Sequence, residues 1–87
     1  MASPARRIRK SVHSPEQAAF GELMVSARKK AGLTQHQLAR RLGKPQSFVA
    51  KYEGGERRID VVEFIAIARA IGADPIRLMR TLVGRSG

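Results

Sequence analysis

Two helix-start signals of the same form constrain this chain more than any other feature. Thr34-x-x-Gln37 and Asp60-x-x-Glu63 are capping boxes: the first side chain accepts a backbone N–H three residues on, and the last reaches back to the cap's own N–H. Each box is flanked by an apolar pair, Leu33 with Leu38 and Ile59 with Phe64, that staples the incoming chain to the first turn. Each helix then meets a glycine, Gly43 or Gly72, where a left-handed residue can end it. The chain is therefore committed to short, sharply bounded helices.

The remaining segments follow the same logic. Ser14 caps a first helix predicted over 15–31, with Pro15 at its first position and Gly32 as its stop. Phe20, Met24, Ala27 and Ala31 recur there at helical spacing, widened by Leu23. A third helix is expected to begin at Pro45, to turn Val49 and Tyr52 inward, and to stop at the Gly54–Gly55 pair, which readily takes positive φ. In the fourth, Val61, Phe64, Ile67 or Ile65, Ala68 and Ile71 supply the buried side. The fifth starts at Asp74-Pro75 and carries Leu78, Met79 and Leu82, with Met24 and Met79 read as core filler. Alternating β-branched runs are absent, so the class is all-α and compact, with five helices. The organisation expected is a basic, disordered arm over 1–14, a folded domain over 15–83 and a frayed tail over 84–87.

The 87 residues are one domain's length, with a small core. Lys and Arg number 17 against 7 Asp and Glu, a net charge of +10, which suits a polyanionic partner such as nucleic acid. No apolar run approaches the roughly 20 residues that span a bilayer, so no membrane partner is expected. Cysteine is absent, which removes disulfides, thiolate metal sites and a thiol nucleophile. The expected compartment is the cytoplasm. His13 and His36 share no ligand spacing, so no metal is expected. Neither a nucleophile–base–orienter set nor a Walker-type phosphate loop is present. No catalytic residue, cofactor or small-molecule substrate is therefore expected.

The stretch TQHQLARRLGKPQSFVAKYEGG, residues 34–55, carries the function. It sets two short helices about a connection of a few residues containing Gly43. Ala39 is small where the helices must cross, and Leu38, Val49 and Tyr52 fill the wedge between them. The segments Gly32-Leu-Thr-Gln35, Leu38-Ala39, Leu42-Gly43, Gln46-Ser47 and Tyr52-Glu53 through Glu56-Arg57 then stand in an order and spacing that resemble the Cro and phage-repressor (XRE-type) helix-turn-helix family. The resemblance covers about 20–82 and implies a lambda-repressor-like helix-turn-helix domain that binds double-stranded DNA and regulates transcription, with repression the expected sign.

By that resemblance the helix over 45–53 enters the major groove. Gln35 would contact a phosphate, while Gln46, Ser47 and Lys51 would face bases. Gln can bond adenine N6 and N7 together, and Lys can donate to guanine O6 and N7. Pro45 and the bulky Phe48 depart from the family pattern, and Phe48 has two open roles, contact with a thymine methyl or packing. Lys44, Arg57 and Arg58 stand at the edges of this helix as phosphate ligands, which position without reading sequence. Arg28 and Glu53 match a family ion pair with a structural role. Charge agrees independently: residues 28–58 hold nine bases and two acids, a net +7. The resemblance also implies a homodimer across a pseudo-palindrome, with Leu78, Leu82 and Val83 available as its surface. The basic arm is either a minor-groove strap or a solubilising tail. Two other readings stand beside this one. An antitoxin-type module would bind a protein as well as DNA, and an architectural binder would carry the charge without reading bases.

Overall fold

The computed structural model describes residues 14–86. The expectation for the arm at 1–13 and for Gly87 lies outside them. Five helices occur among the described residues: α1 (Pro15–Lys30), α2 (Gln35–Leu42), α3 (Gln46–Glu53), α4 (Val61–Ile71) and α5 (Pro75–Ser86). α1 packs on α3 and α5, α2 on α3 and α4, and α4 on α5. They enclose one core in which Met24, Leu38, Val49, Tyr52 and Ile67 are almost wholly buried. Phe64 joins it with its ring 6.1 Å from that of Phe20.

Both capping boxes form. Thr34 accepts the Gln37 N–H at 3.1 Å while the Gln37 side chain accepts the Thr34 N–H at 2.9 Å. Asp60 and Glu63 do the same at 2.7 and 3.0 Å. Ser14 caps α1 through the Gln17 N–H, and Asp74 accepts the Ile76 N–H at the start of α5. α2 closes at Gly43, φ 68°, followed by a Lys44 N–H to Ala39 carbonyl bond of 3.0 Å. That six-to-one bond satisfies a carbonyl the helix would leave open. The end of α4 repeats it, from Ala73 N–H to the Ala68 carbonyl at 2.9 Å.

Five expectations are corrected. Pro45 is the N-cap of α3, not its first residue: its ψ of 155° is extended, and helical geometry begins at Gln46. The stop after α3 takes positive φ only at Gly55, since Gly54 is right-handed at −83°. Val61 is 68% exposed, on the outward side of a first turn that buries Phe64 instead, and Ile67 rather than Ile65 takes the fully buried place. Met79 is 40% exposed, so it is not core filler as Met24 is. In α5, Leu78 packs on the core while Ile76, Met79 and Val83 form an outward stripe. The helix continues through residues 84–86, where fraying was expected.

Candidate nucleic-acid interface

The tight turn at Gly43 sets α3 against α2, and Ala39, 2% exposed, is small enough for the two helices to meet there. Val49 and Tyr52 anchor the inner side of α3. Its other side presents Ser47 and Lys51, both exposed and four residues apart, hence on one face.

The ends of α2 and α3 are locked by a continuous polar chain. The Arg28 guanidinium, on α1, grips Glu53 with two bonds, Nε to Oε2 at 2.7 Å and Nη2 to Oε1 at 3.1 Å. Its Nη1 donates to the Leu33 carbonyl at 2.8 Å, which ties the α1–α2 turn to the same point. The two side chains are only 10% and 4% exposed. Glu53 Oε1 also accepts Gln35 Nε2 at 2.9 Å, and Gln35 Oε1 accepts Gln46 Nε2 at 2.7 Å. The bond to Glu53 raises the pKa of Arg28 above its ordinary value, against the opposing pull of burial. The family pair carried over from the sequence is therefore present. It belongs to a larger unit that ends on the first residue of α3.

A second cluster lies at the other edge of α3. The Phe48 ring is 9% exposed and meets Tyr52 edge-on at 5.5 Å. Of the two roles open to it, packing is the one its burial gives. Two cations lie over the ring, Arg57 at 4.7 Å and Lys44 at 5.5 Å from its centroid, close enough for cation–π attraction. Arg57 also donates to both oxygens of Glu63, at 3.3 and 3.1 Å, and to the Arg58 carbonyl at 3.0 Å. The Arg57 bond, then the Asp60 N–H, hold the Glu63 carboxyl below its ordinary pKa.

The expected residues thus fall into three groups. Gln35, Gln46, Arg28 and Glu53 form one bonded unit, which revises the picture of Gln35 and Gln46 as separate contacts. Lys44, Phe48 and Arg57 form another, with Arg58 following Arg57 on the exposed loop. Ser47 and Lys51 stand on the open face between them. Sequence reasoning missed the part of Glu63 in holding Arg57, because its capping-box role already accounted for it. It also missed Arg41, whose Nη1 donates to the Ala70 carbonyl at 2.8 Å and so serves the end of α4. Among the described residues no group of three His, Asp or Glu side chains is placed to hold a metal ion. No helix there is long and apolar enough to cross a membrane.

Comparison with known proteins agrees with this geometry. The helix-turn-helix family model matches residues 25–78, more than half of the chain. An XRE-family like protein from Pseudomonas syringae pv. tomato str. DC3000 is 46% identical over 87% of this chain and 93% of its own, with a TM-score of 0.78. The restriction-modification controller protein C.AhdI from Aeromonas hydrophila is 29% identical over 75% of this chain and 98% of its own, with a TM-score of 0.70. The controller protein C.Esp1396I, solved as a tetramer with its natural 35 base-pair operator, is 15% identical over 83% of this chain and 95% of its own. Its TM-score of 0.75 shows a shared fold. No curated protein matches the chain.

Proposed function

The chain belongs to the Cro/C1-type (XRE) helix-turn-helix family of DNA-binding transcription regulators, and from that premise we propose that it reads a specific operator in duplex DNA as a homodimer and represses from it. The observation that carries the reading is the way Gln46 is held. One of its amide hydrogens goes to Gln35. The second amide hydrogen and the carbonyl oxygen are what a bidentate contact to adenine needs. A side chain fixed through Gln35 and Glu53 to a buried arginine loses little rotamer freedom on binding, so the contact discriminates well.

Ser47 and Lys51 complete the reading face, with Gln35, Lys44, Arg57 and Arg58 as phosphate ligands on either side. The dimer surface fits the exposed stripe Ile76, Met79 and Val83, spaced three and four residues apart on α5. This replaces the choice of Leu78, whose side chain serves the core. Two copies joined through α5 would present two α3 helices to an inverted repeat.

Selection from a random duplex pool at near-physiological salt tests the proposal. An inverted repeat is expected, and Gln46→Ala should relax one position in each half-site and cost roughly 1–3 kcal/mol on the preferred site. A single half-site would remove the homodimer. Binding without enrichment would leave an architectural role, and no binding would turn the search to a protein partner.

A further inference from the structure

Arg57 and Glu63 face each other in a geometry that base reading does not use. The guanidinium lies over Phe48 and gives both terminal nitrogens to the carboxylate. This is the fork that arginine offers a phosphate. The pair is neutral as a unit, so while it stays closed Arg57 displaces no counterion from DNA. It is also weakly held. Its side chains are 40% and 26% exposed, and ion pairs open to solvent bring little net stabilisation.

Two features let the carboxylate leave without disturbing the rest. The Phe48 ring attracts the guanidinium independently of the carboxylate, with its centroid 4.7 Å away, so Arg57 keeps its seat when Glu63 withdraws. Asp60 still accepts the Glu63 backbone N–H at 2.7 Å, so α4 keeps the cap that fixes its start.

We propose that Glu63 is an internal substitute for a DNA phosphate: it holds Arg57 over Phe48 in the free protein and yields it to the backbone on binding. The inference rests on the DNA-binding reading above. Its consequence is a lowered affinity for all duplexes at an unchanged salt slope, because Arg57 meets a phosphate in the complex but must first leave Glu63. Lys44, on the same ring, adds a positive charge that favours ionised Glu63 and keeps the pair closed at neutral pH.

The test is duplex affinity against salt for the full chain, on the selected operator and on a random duplex. Glu63→Gln keeps a side chain suited to the capping box, and Glu63→Asp keeps the charge but shortens the reach. Both should bind each duplex several-fold more tightly. Both should leave the salt slope unchanged, since the same phosphate contact is made in every complex that contains Arg57, whereas Arg57→Gln should flatten it by about 0.9. In an Arg57→Gln background neither should change affinity or slope. An equal gain without Arg57 would make Glu63 a general negative charge and overturn the proposal, as would no gain from Glu63→Asp. Weaker binding by Glu63→Gln, at an unchanged melting temperature, would show that Glu63 holds Arg57 in its working position, and would overturn it too. Failure of the wild type to bind any duplex would instead sink the DNA-binding reading, and this proposal with it.

Discussion

Two arginine–glutamate pairs stand on opposite edges of α3, and their surroundings give them opposite uses. Arg28–Glu53 is almost fully enclosed, and it is bonded further to the Leu33 carbonyl and to Gln35. Arg57–Glu63 lies in partial solvent on an aromatic ring. Breaking the first strands a charge where water cannot reach it, which is costly. Breaking the second returns both groups to water, which is cheap. Identical chemistry thus makes a fixed joint on one edge and an exchangeable contact on the other. Burial, not pairing, decides which.

The widest separation between the two pairs should come from Arg28→Ala. It is expected to lose about 3–5 kcal/mol in urea unfolding, since Glu53 would remain enclosed without its cation. A loss below about 1 kcal/mol would put the two pairs on the same footing and break the comparison. Gly21→Ala probes the same joint from the other side. An added Cβ would lie 2.6 Å from the Glu53 carbonyl oxygen, so α1 must move off the end of α3. A cost of about 1–3 kcal/mol is expected. A neutral result would mean that the joint yields.

Tyr52→Phe sharpens the contrast at the centre of the helix. The hydroxyl is buried without a protein hydrogen-bond partner, so its removal should raise stability by up to about 1 kcal/mol at neutral pH. Burial, then the charge of Glu53, push the phenol's pKa well above its ordinary value. The native state therefore holds this proton longer than the unfolded chain. Wild-type stability should fall as pH rises beyond about 10, and the variant's should fall less. Parallel melting curves in alkali would show that Tyr52 is not the group responsible.

The smallest effect is expected from Glu63→Gln on stability alone, under about 1 kcal/mol at pH 7 after allowance for solvent screening. Arg57 holds the folded carboxyl below its unfolded pKa of about 4.3, so its contribution is present above that pH. It is lost as pH falls through the lower folded value. Wild type and variant should therefore melt alike in strong acid. A gap that persisted there would assign the difference to the capping box.

Most of the fold was legible because its punctuation is local. Thr34 with Gln37, Asp60 with Glu63, and the glycines after them act within one turn, so spacing alone identifies them. The inward residues Leu38, Val49 and Tyr52 were legible for the same reason. Misreadings came where the outcome depends on a neighbour. Val61 and Met79 have the right spacing but lie on the outward sides of their helices and stay exposed. Phe48 was left with two roles, and only its burial beside Tyr52 favours packing.

The functional face divides in the same way. Local spacing and composition were enough for the five helices, the basic excess around α3 and, through resemblance, the residues of the reading helix. That Gln46 is tied through Gln35 to Glu53, and that Glu63 and Phe48 share Arg57, emerged with the packed fold. Capping and helical periodicity are set by bonds between residues three or four apart, which a linear sequence displays. The polar chain joins positions up to 25 residues apart on different helices, and such bonds exist only once the core has brought those helices together.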